Sequence, residues 1–426
     1  MIGLRQCVSL LIAAIFAISA TASLAQDSKK PGKPKTRVTE KLSPKVYEQI
    51  VAAQSALEAR DYKAAESIMN GLKATSDTLN NYEKAQMHNF LAAIHYEQGN
   101  TQATIKDYQA ILALEGVPEQ IRNNSLFRLA QLYFVSEQYA KSIQLLDDWM
   151  NQVASVRPEA YMLKAQAFYQ QGKYQQAEAP IILALREARR RQQAPSENWL
   201  ALLRAVYYEK GEYSKAAKVL ESLIKSAPKP SYYTQLAGMY GLMKQQKKQL
   251  YVMHAAKAAG MLENESDILN MARLYMAEDA PFPAIELIQE GFDAGTVQEN
   301  ASNLQLLAQA MSLARETEAQ IPVLEKAAAM SNDAQQFMYL GQAQLALYQW
   351  QDAASSLERA LAMGGLDRQG GIYMQIGTAY YNLKRYGPAL QAFKNAGRFA
   401  AFKKQSSQWV KFVQMEIQHQ KVVSGV

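Results

Sequence analysis

Small and apolar residues recur along the chain at offsets that predict paired helices. In the clearest copies, Tyr161 and Tyr373 are each followed by a small residue four positions later, two adjacent aromatic residues, a turn and a second apolar stripe. Apolar positions three, four and seven residues apart lie on one face of a helix. The pattern therefore predicts helix-turn-helix units that bury their apolar faces against one another.

Ten such units can be aligned, at spacings of 33 to 39 residues. Their first helices are predicted to begin near Gln49, His88, Leu126, Tyr161, Leu200, Tyr233, Ile268, Leu304, Phe337 and Tyr373. A repeat of about 34 residues is typical of helical arrays, which lengthen by adding units without enlarging a single core. The predicted fold class is all-α: a right-handed α-α superhelix of about ten helix pairs.

Three sets of positions within the units are predicted to form the core. The small slot of the first helix holds Ala92, Ala130, Ala165, Ala237, Ala272, Ala308, Gly341 and Gly377. In the second helix, an alanine is followed four residues later by a larger apolar residue. These pairs are Ala65 and Met69, Ala177 and Ile181, Ala216 and Leu220, Ala284 and Ile288, Ala353 and Leu357, and Ala389 and Phe393. Helical periodicity directs all of them to the buried side.

The turns inside the units are marked unevenly. Gly99, Gly172 and Gly211 can take the positive φ that ends a helix. Unit six has the polar run 244–249 where a tight turn is expected, and unit eight has 315–317. We therefore expect the array to bend or loosen between residues 240 and 330, and the sequence leaves open whether units six to eight form a hinge.

The first 25 residues read as a secretory signal. Arg5 precedes an apolar run over residues 8–18 that ends in small residues, and cleavage is predicted between Ala25 and Gln26. The alternative, an uncleaved anchor, is disfavoured because the run is shorter than the roughly 20 residues that span a bilayer. Cys7, the only cysteine, would be removed with the signal, so a periplasmic chain without thiols is expected.

Charge is concentrated in the segment that follows. Residues 26–46 carry a net charge of +5, whereas residues 47–426 carry +1. We divide the chain into a signal peptide (1–25), a basic Lys/Pro-rich disordered linker (26–43), the helical array (44–400) and a C-terminal capping helix with a tail (401–426). The linker is either a solvated tether or a weak contact for anionic lipid or an acidic protein. The nearly neutral array gives no reason to expect nucleic acid as a partner.

The sequence offers no set of residues for catalysis. The four histidines appear scattered over different units, and there is no zinc-type His motif, no Gly-x-Ser-x-Gly, no phosphate-binding Gly-rich loop and no Cys pair. No acid, base and nucleophile can be nominated together. We therefore expect no enzymatic activity, no metal and no cofactor.

A candidate partner-binding surface follows from the residue after the core aromatic of the first helix. Adjacent helix positions differ by about 100°, so when one ring is buried its neighbour points elsewhere, in part towards the inner, concave face of stacked helix pairs. The candidate residues on this concave face are Tyr96, Phe134, Gln166, Tyr169, Gln170, Tyr208, Tyr381 and Asn382. Aromatic residues are frequent hot spots of binding, and the amides would bond a peptide backbone. The alternative is partial burial of the rings against the neighbouring helix.

A second candidate is the dense basic patch Arg186, Arg189, Arg190 and Arg191. It lies at the end of a predicted second helix, where the helix dipole favours cations. The alternative is a docking point for an acidic segment of a partner.

The motif set resembles the tetratricopeptide repeat family over nearly all of residues 44–400. The resemblance implies helix pairs whose first helices form a concave groove that binds segments of other proteins, with no catalysis intrinsic to the fold. The whole-chain layout is similar to that of periplasmic tetratricopeptide proteins associated with TonB, ExbB and ExbD, which are implicated in uptake of iron chelates and haem.

Two functions are consistent with these features. The first is a periplasmic scaffold or adaptor for protein–protein interactions in the cell envelope, supporting TonB-dependent transport with TonB, ExbB or ExbD as partners. The second is a carrier or assembly factor for outer-membrane or cell-wall components.

Overall fold

All regular secondary structure in the described part of the chain is helical. The computed structural model describes residues 41–262 and 264–424, with side chains as far as residue 420. The all-α prediction is confirmed. The helices are α1 Pro44–Glu58, α2 Tyr62–Ala74, α3 Asn81–Glu97, α4 Thr101–Ala113, α5 Glu119–Val135, α6 Tyr139–Gln152, α7 Pro158–Gln170, α8 Tyr174–Arg190, α9 Glu197–Glu209, α10 Tyr213–Ser226, α11 Pro230–Leu242, α12 Gln246–Ala258, α13 Glu265–Ala277, α14 Pro281–Asp293, α15 Ala301–Leu313, α16 Thr317–Ala329, α17 Ala334–Ala346, α18 Trp350–Met363, α19 Gln369–Asn382, α20 Tyr386–Ala396 and α21 Lys403–Ser424. The predicted signal peptide and nearly all of the predicted linker lie outside the described residues.

Helices α1 to α20 form ten hairpins, which we number 1 to 10 in chain order. Each predicted first-helix start lies inside the observed helix: α7 begins three residues before Tyr161, and α3 begins seven before His88. The chain divides into two compact parts at Arg128, within α5. The first part holds hairpins 1 and 2, and the second holds hairpins 4 to 10 with α21.

The same turn joins the two helices of every hairpin. Its central residue has a φ of +55° to +74°, and its backbone N–H donates to the carbonyl three residues earlier, while the next N–H donates five residues back. These central residues are Arg60, Gly99, Glu137, Gly172, Gly211, Lys244, Asp279, Arg315, Tyr348 and Lys384. This hydrogen-bonding pattern satisfies the last carbonyls of the first helix.

The two turns that the sequence marks as degenerate are regular. Lys244 and Arg315 take the left-handed conformation that Gly172 takes, so hairpins 6 and 8 turn as tightly as the others. Their first helices, α11 and α15, are regular. The irregularity expected between residues 240 and 330 is therefore absent from these two turns.

The predicted core is confirmed. The twelve second-helix residues named above are all fully buried, and the small-slot residues are buried as well. The slot is tight: a Cβ added to Gly377 would lie 2.6 Å from the ring of Phe393, and one added to Gly341 would lie 2.6 Å from Leu357. Small residues there allow the two helices of a hairpin to approach closely.

Within residues 139–424, each helix packs on the next one in the chain. First helices of successive hairpins also touch, as α7 touches α9 and α17 touches α19. We call the surface formed by the first helices of hairpins 4 to 10 the first-helix face.

Helix α21 covers the last hairpin. Trp409 stacks on Phe393 with ring centroids 5.1 Å apart, and Val413 is fully buried. The Ser406 hydroxyl donates to the Phe393 carbonyl at 2.6 Å. Among the helices of the described residues, none combines the length and apolar character needed to cross a bilayer.

Candidate protein-binding face

Five hairpins carry an aromatic residue three positions before the left-handed turn residue. These are hairpins 2, 3, 4, 5 and 10, with Tyr96, Phe134, Tyr169, Tyr208 and Tyr381. Hairpins 6 to 9 have Gly241, Met276, Ser312 and Leu345 at the same position. The position is near the end of the first helix, so the turn carries the start of the second helix back towards it.

Four of these rings pair with an aromatic residue five positions later. The centroids of Tyr169 and Tyr174 are 5.3 Å apart, and those of Tyr208 and Tyr213 are 5.8 Å apart. The corresponding distances are 5.5 Å for Phe134 with Tyr139 and 5.7 Å for Tyr381 with Tyr386. Each outer ring is thus held by a partner across the turn, which lowers the entropy that binding would cost.

The five residues differ in exposure. Tyr208 is 46% exposed, and Tyr96 and Tyr169 are partly buried. Phe134 is only 3% exposed, which corrects its placement on a binding surface. Helical periodicity predicts the direction of the Phe134 side chain but not its burial, which comes from packing against neighbouring residues.

Tyr381 is covered by α21. Its ring lies 5.6 Å from Trp409 and 5.5 Å from Phe412, centroid to centroid. Phe412 itself remains 40% exposed. The tenth hairpin therefore shows what the aromatic position does when a helix is placed beside it: it packs against the aromatic residues of that helix.

The predicted amides lie on the same helices. Gln166 is partly buried, and Gln170 and Asn382 are exposed. The Asn382 amide already donates to the Thr378 carbonyl at 2.8 Å. Gln166 and Gln170 therefore remain the amide candidates closest to Tyr169.

The phenol of Tyr169 is protonated at neutral pH. Burial, and then the nearby Glu209 carboxylate, raise the pKa of Tyr169 above its usual value. Burial likewise raises the pKa of Tyr381. A partner would meet these side chains as neutral rings with a hydroxyl donor.

The basic patch is partly used within the protein. Arg190 and Arg191 both donate to Glu187, at 2.7 to 2.8 Å, and these hydrogen bonds lower the pKa of Glu187 to about 2. Arg191 also donates to the Ser155 hydroxyl and the Val156 carbonyl. Arg186 and Arg189 are exposed. Two of the four arginines, Arg190 and Arg191, thus make hydrogen bonds within the protein at the end of α8.

In the first part of the chain, two histidines meet at one carboxylate. The Nδ1 atoms of His88 and His95 lie 2.8 and 2.7 Å from the two oxygens of the buried Asp107. The expectation that the histidines are scattered is wrong for this pair, because α3 carries both and α4 carries Asp107. These contacts join α3 to α4 within hairpin 2. Among the described residues, no group of three or more His, Cys, Asp or Glu side chains is arranged to hold a metal ion.

Sequence reasoning missed Arg204. This residue lies on α9, in the small slot of hairpin 5, where the other hairpins have Ala or Gly. The sequence signal was this single departure from the slot's pattern.

Comparison with known protein families gives a match to part of the chain. Residues 108–182 match the family model described as anaphase-promoting complex, cyclosome, subunit 3. No curated protein matches the chain.

Three solved structures resemble parts of the chain. A tetratricopeptide repeat protein from Parabacteroides merdae is 15% identical over 79% of this chain and 99% of its own, with a TM-score of 0.39. YrrB, described as a tetratricopeptide protein with an unusual peptide-binding site, is 14% identical over 46% and 99%, with a TM-score of 0.38. The yeast Sti1 TPR2AB domain, in a complex with pHSP90, is 17% identical over 62% and 98%, with a TM-score of 0.33.

Proposed function

We propose that this chain is a scaffold that binds other proteins along its first-helix face. The observation that carries the proposal is the repeated ring pair at the end of the first helices, left 46% exposed at Tyr208. Large rings held in place supply contact area at small entropic cost, and exposed aromatic residues are enriched among binding hot spots. Tetratricopeptide proteins commonly bind other proteins or peptides, and the proposal extends that activity to this chain.

The occupant of the face is a polypeptide segment. At the tenth hairpin, Trp409 and Phe412 of α21 pack beside Tyr381, so this surface accepts aromatic side chains carried on a helix. Gln166 and Gln170 would offer hydrogen bonds to an extended backbone instead. The face is thus suited to a segment with one or two large apolar residues.

The setting we propose is the periplasm, with TonB-dependent transport as the process served. The support is the secretory pattern of residues 1–25 and the resemblance of the layout to proteins that accompany TonB, ExbB and ExbD. Cell fractionation with an antibody against the mature chain tests the location. Recovery of the protein in the cytoplasmic fraction would contradict both the periplasmic location and the role in TonB-dependent transport.

Site-specific photo-crosslinking in the native cells tests the scaffold. A photoreactive phenylalanine analogue at Tyr208 is compared with the same analogue at Tyr251, which is 66% exposed on α12, a second helix. We expect a discrete protein adduct from position 208 and none of the same mass from position 251. Adducts with TonB or ExbD support the transport role, whereas adducts only with assembly machinery support the carrier role. Identical adducts from both positions would contradict a binding site on the first-helix face.

A further inference from the structure

Arg204 occupies a position that holds a small residue in every other hairpin. Seven residues before each left-handed turn residue, the other nine hairpins place a small side chain. These residues are Ala53, Ala92, Ala130, Ala165, Ala237, Ala272, Ala308, Gly341 and Gly377. The large residue that faces the slot in hairpin 10 is Phe393, and its counterpart in hairpin 5, Leu220, is fully buried. The arginine side chain must therefore leave the interface between the two helices.

Arg204 lies on the same stripe of α9 as the exposed Tyr208, one helical turn earlier. Its side chain is partly buried, and the neighbouring first helix α7 touches α9. Burial lowers the pKa of Arg204. The arginine is therefore part of the first-helix face.

Within the described residues, this guanidinium has no hydrogen bond and no ion pair. Glu197 on the same helix is bound instead to the Lys229 ammonium, at 2.5 and 2.7 Å. A partly desolvated cation without an acceptor is unfavourable unless one arrives from outside.

We propose that Arg204 binds one carboxylate side chain, of Asp or Glu, on a polypeptide segment laid across α7 and α9. The inference rests on the proposed function and names the chemistry of its partner. A guanidinium fork matches a carboxylate with two parallel hydrogen bonds.

The bound segment of the partner carries a single acidic residue near Arg204, not a run of acidic residues. Glu209, exposed at the end of α9, repels a second carboxylate near Tyr169. Gln166 and Gln170 on α7 are uncharged, and Tyr208 is open to an apolar side chain. Charge complementarity thus favours one acidic residue next to apolar or uncharged neighbours.

Selection from a display library of random dodecapeptides tests the site, with the full chain immobilised. We compare the wild type with Arg204→Gln, and with Glu209→Gln as the matched control on the same helix. The wild type is expected to enrich peptides with one Asp or Glu at a fixed distance from a large apolar residue. Arg204→Gln should weaken binding of those peptides about tenfold or more, because a charge-assisted hydrogen bond is lost, while the apolar preference remains. Glu209→Gln should leave the acidic preference intact or strengthen it.

The outcomes separate the two proposals. Enrichment of apolar peptides without an acidic preference, or an acidic preference that survives Arg204→Gln, overturns the Arg204 site and leaves the scaffold standing. Failure of the wild type to enrich any peptide overturns both. Arg204→Ala keeps the test independent of misfolding, because it restores the residue that the other hairpins have. It should melt at the same temperature as the wild type or higher, and still lose the acidic preference.

Discussion

At the scale of single residues, backbone conformation outweighs residue type in the turns. Seven of the ten left-handed turn residues are not glycine, although an L-residue there costs roughly 1 kcal/mol or more. The two backbone hydrogen bonds that close each first helix and the packing of the hairpin hold the conformation. Each of these seven positions stores a small strain that glycine would remove.

Lys244→Gly should therefore stabilise the protein. Lys244 is exposed, has a φ of +57° and makes no side-chain hydrogen bond in the described residues, so glycine removes strain without losing a contact. We expect a gain of about 0.5–1 kcal/mol in the free energy of unfolding. Chemical denaturation measures it, with Gly172→Ala as the reverse control, expected to lose a similar amount. A loss on Lys244→Gly would show that the lysine side chain stabilises hairpin 6.

A second prediction concerns the small slot. Gly377→Ala places a Cβ 2.6 Å from the ring of Phe393, which is fully buried and stacked on Trp409. Overpacking of this kind costs about 1–3 kcal/mol. The measurement is the denaturation midpoint, and Gly387→Ala, with no atom within 4 Å of the added Cβ, is the control. Equal midpoints for the two variants would mean that Phe393 can move aside freely.

The residues that the sequence predicted well are those whose position depends on one helix. Ala177 and Ile181 lie on a face that helical period alone defines, and both are fully buried. The exposed fractions of the Phe134 and Tyr208 side chains differ although their motifs match, because packing against neighbouring residues, and not helical period, sets them. Lys244 was missed as a turn residue because its side chain gives no sign of a left-handed φ. Arg204 could have been found, since it alone interrupts a row of small residues.

At the scale of elements, an ion network joins hairpins 4 and 5. The Lys210 ammonium, 5% exposed at the end of α9, pairs with Glu178 of α8 and with Glu212, which lies 2.9 Å away. Lys215 bonds the other oxygen of Glu212 at 2.6 Å. The hydrogen bond from Lys210 lowers the pKa of Glu178 below its ordinary value. Folding therefore favours the ionised form of Glu178.

This network predicts a pH-dependent effect of Glu178→Gln. A carboxylate whose pKa is depressed on folding contributes stability above its unfolded pKa of about 4.3, and loses it as the pH falls through the folded value. The variant should be less stable than the wild type by about 1–2 kcal/mol at pH 7. The difference should shrink below about pH 4, where the wild-type residue also becomes neutral. Thermal melts of both proteins from pH 3 to pH 7 give the comparison, and a difference independent of pH would assign the loss to packing.

At the scale of the whole molecule, loss of packing in one hairpin should destabilise mainly that hairpin and its neighbours. Each hairpin in residues 139–424 packs on its sequence neighbours, so stability is close to a sum of hairpin and interface contributions. The final interface is built by α21, which covers Phe393 and Tyr381 with Trp409, Phe412 and Val413. The tenth hairpin therefore depends on α21, whereas the described core residues of hairpins 4 to 6 belong to separate apolar clusters.

Removing α21 by a stop codon at Lys403 should loosen hairpin 10 and leave intact hairpins 4 and 5, which carry Tyr169 and Tyr208. The truncation exposes Phe393 and removes the hydrogen bond from Ser406, so amides of α19 and α20 should exchange with solvent at least tenfold faster. Amides of α7 and α9 should keep their protection, and photo-crosslinking from Tyr208 should persist. Val413→Asp in the full chain is a milder test of the same interface, with the exposed Gln418→Asp as its matched control. Faster exchange spread evenly from α7 to α20 would instead show that residues 129–424 unfold as one cooperative body, and the binding face would then require α21.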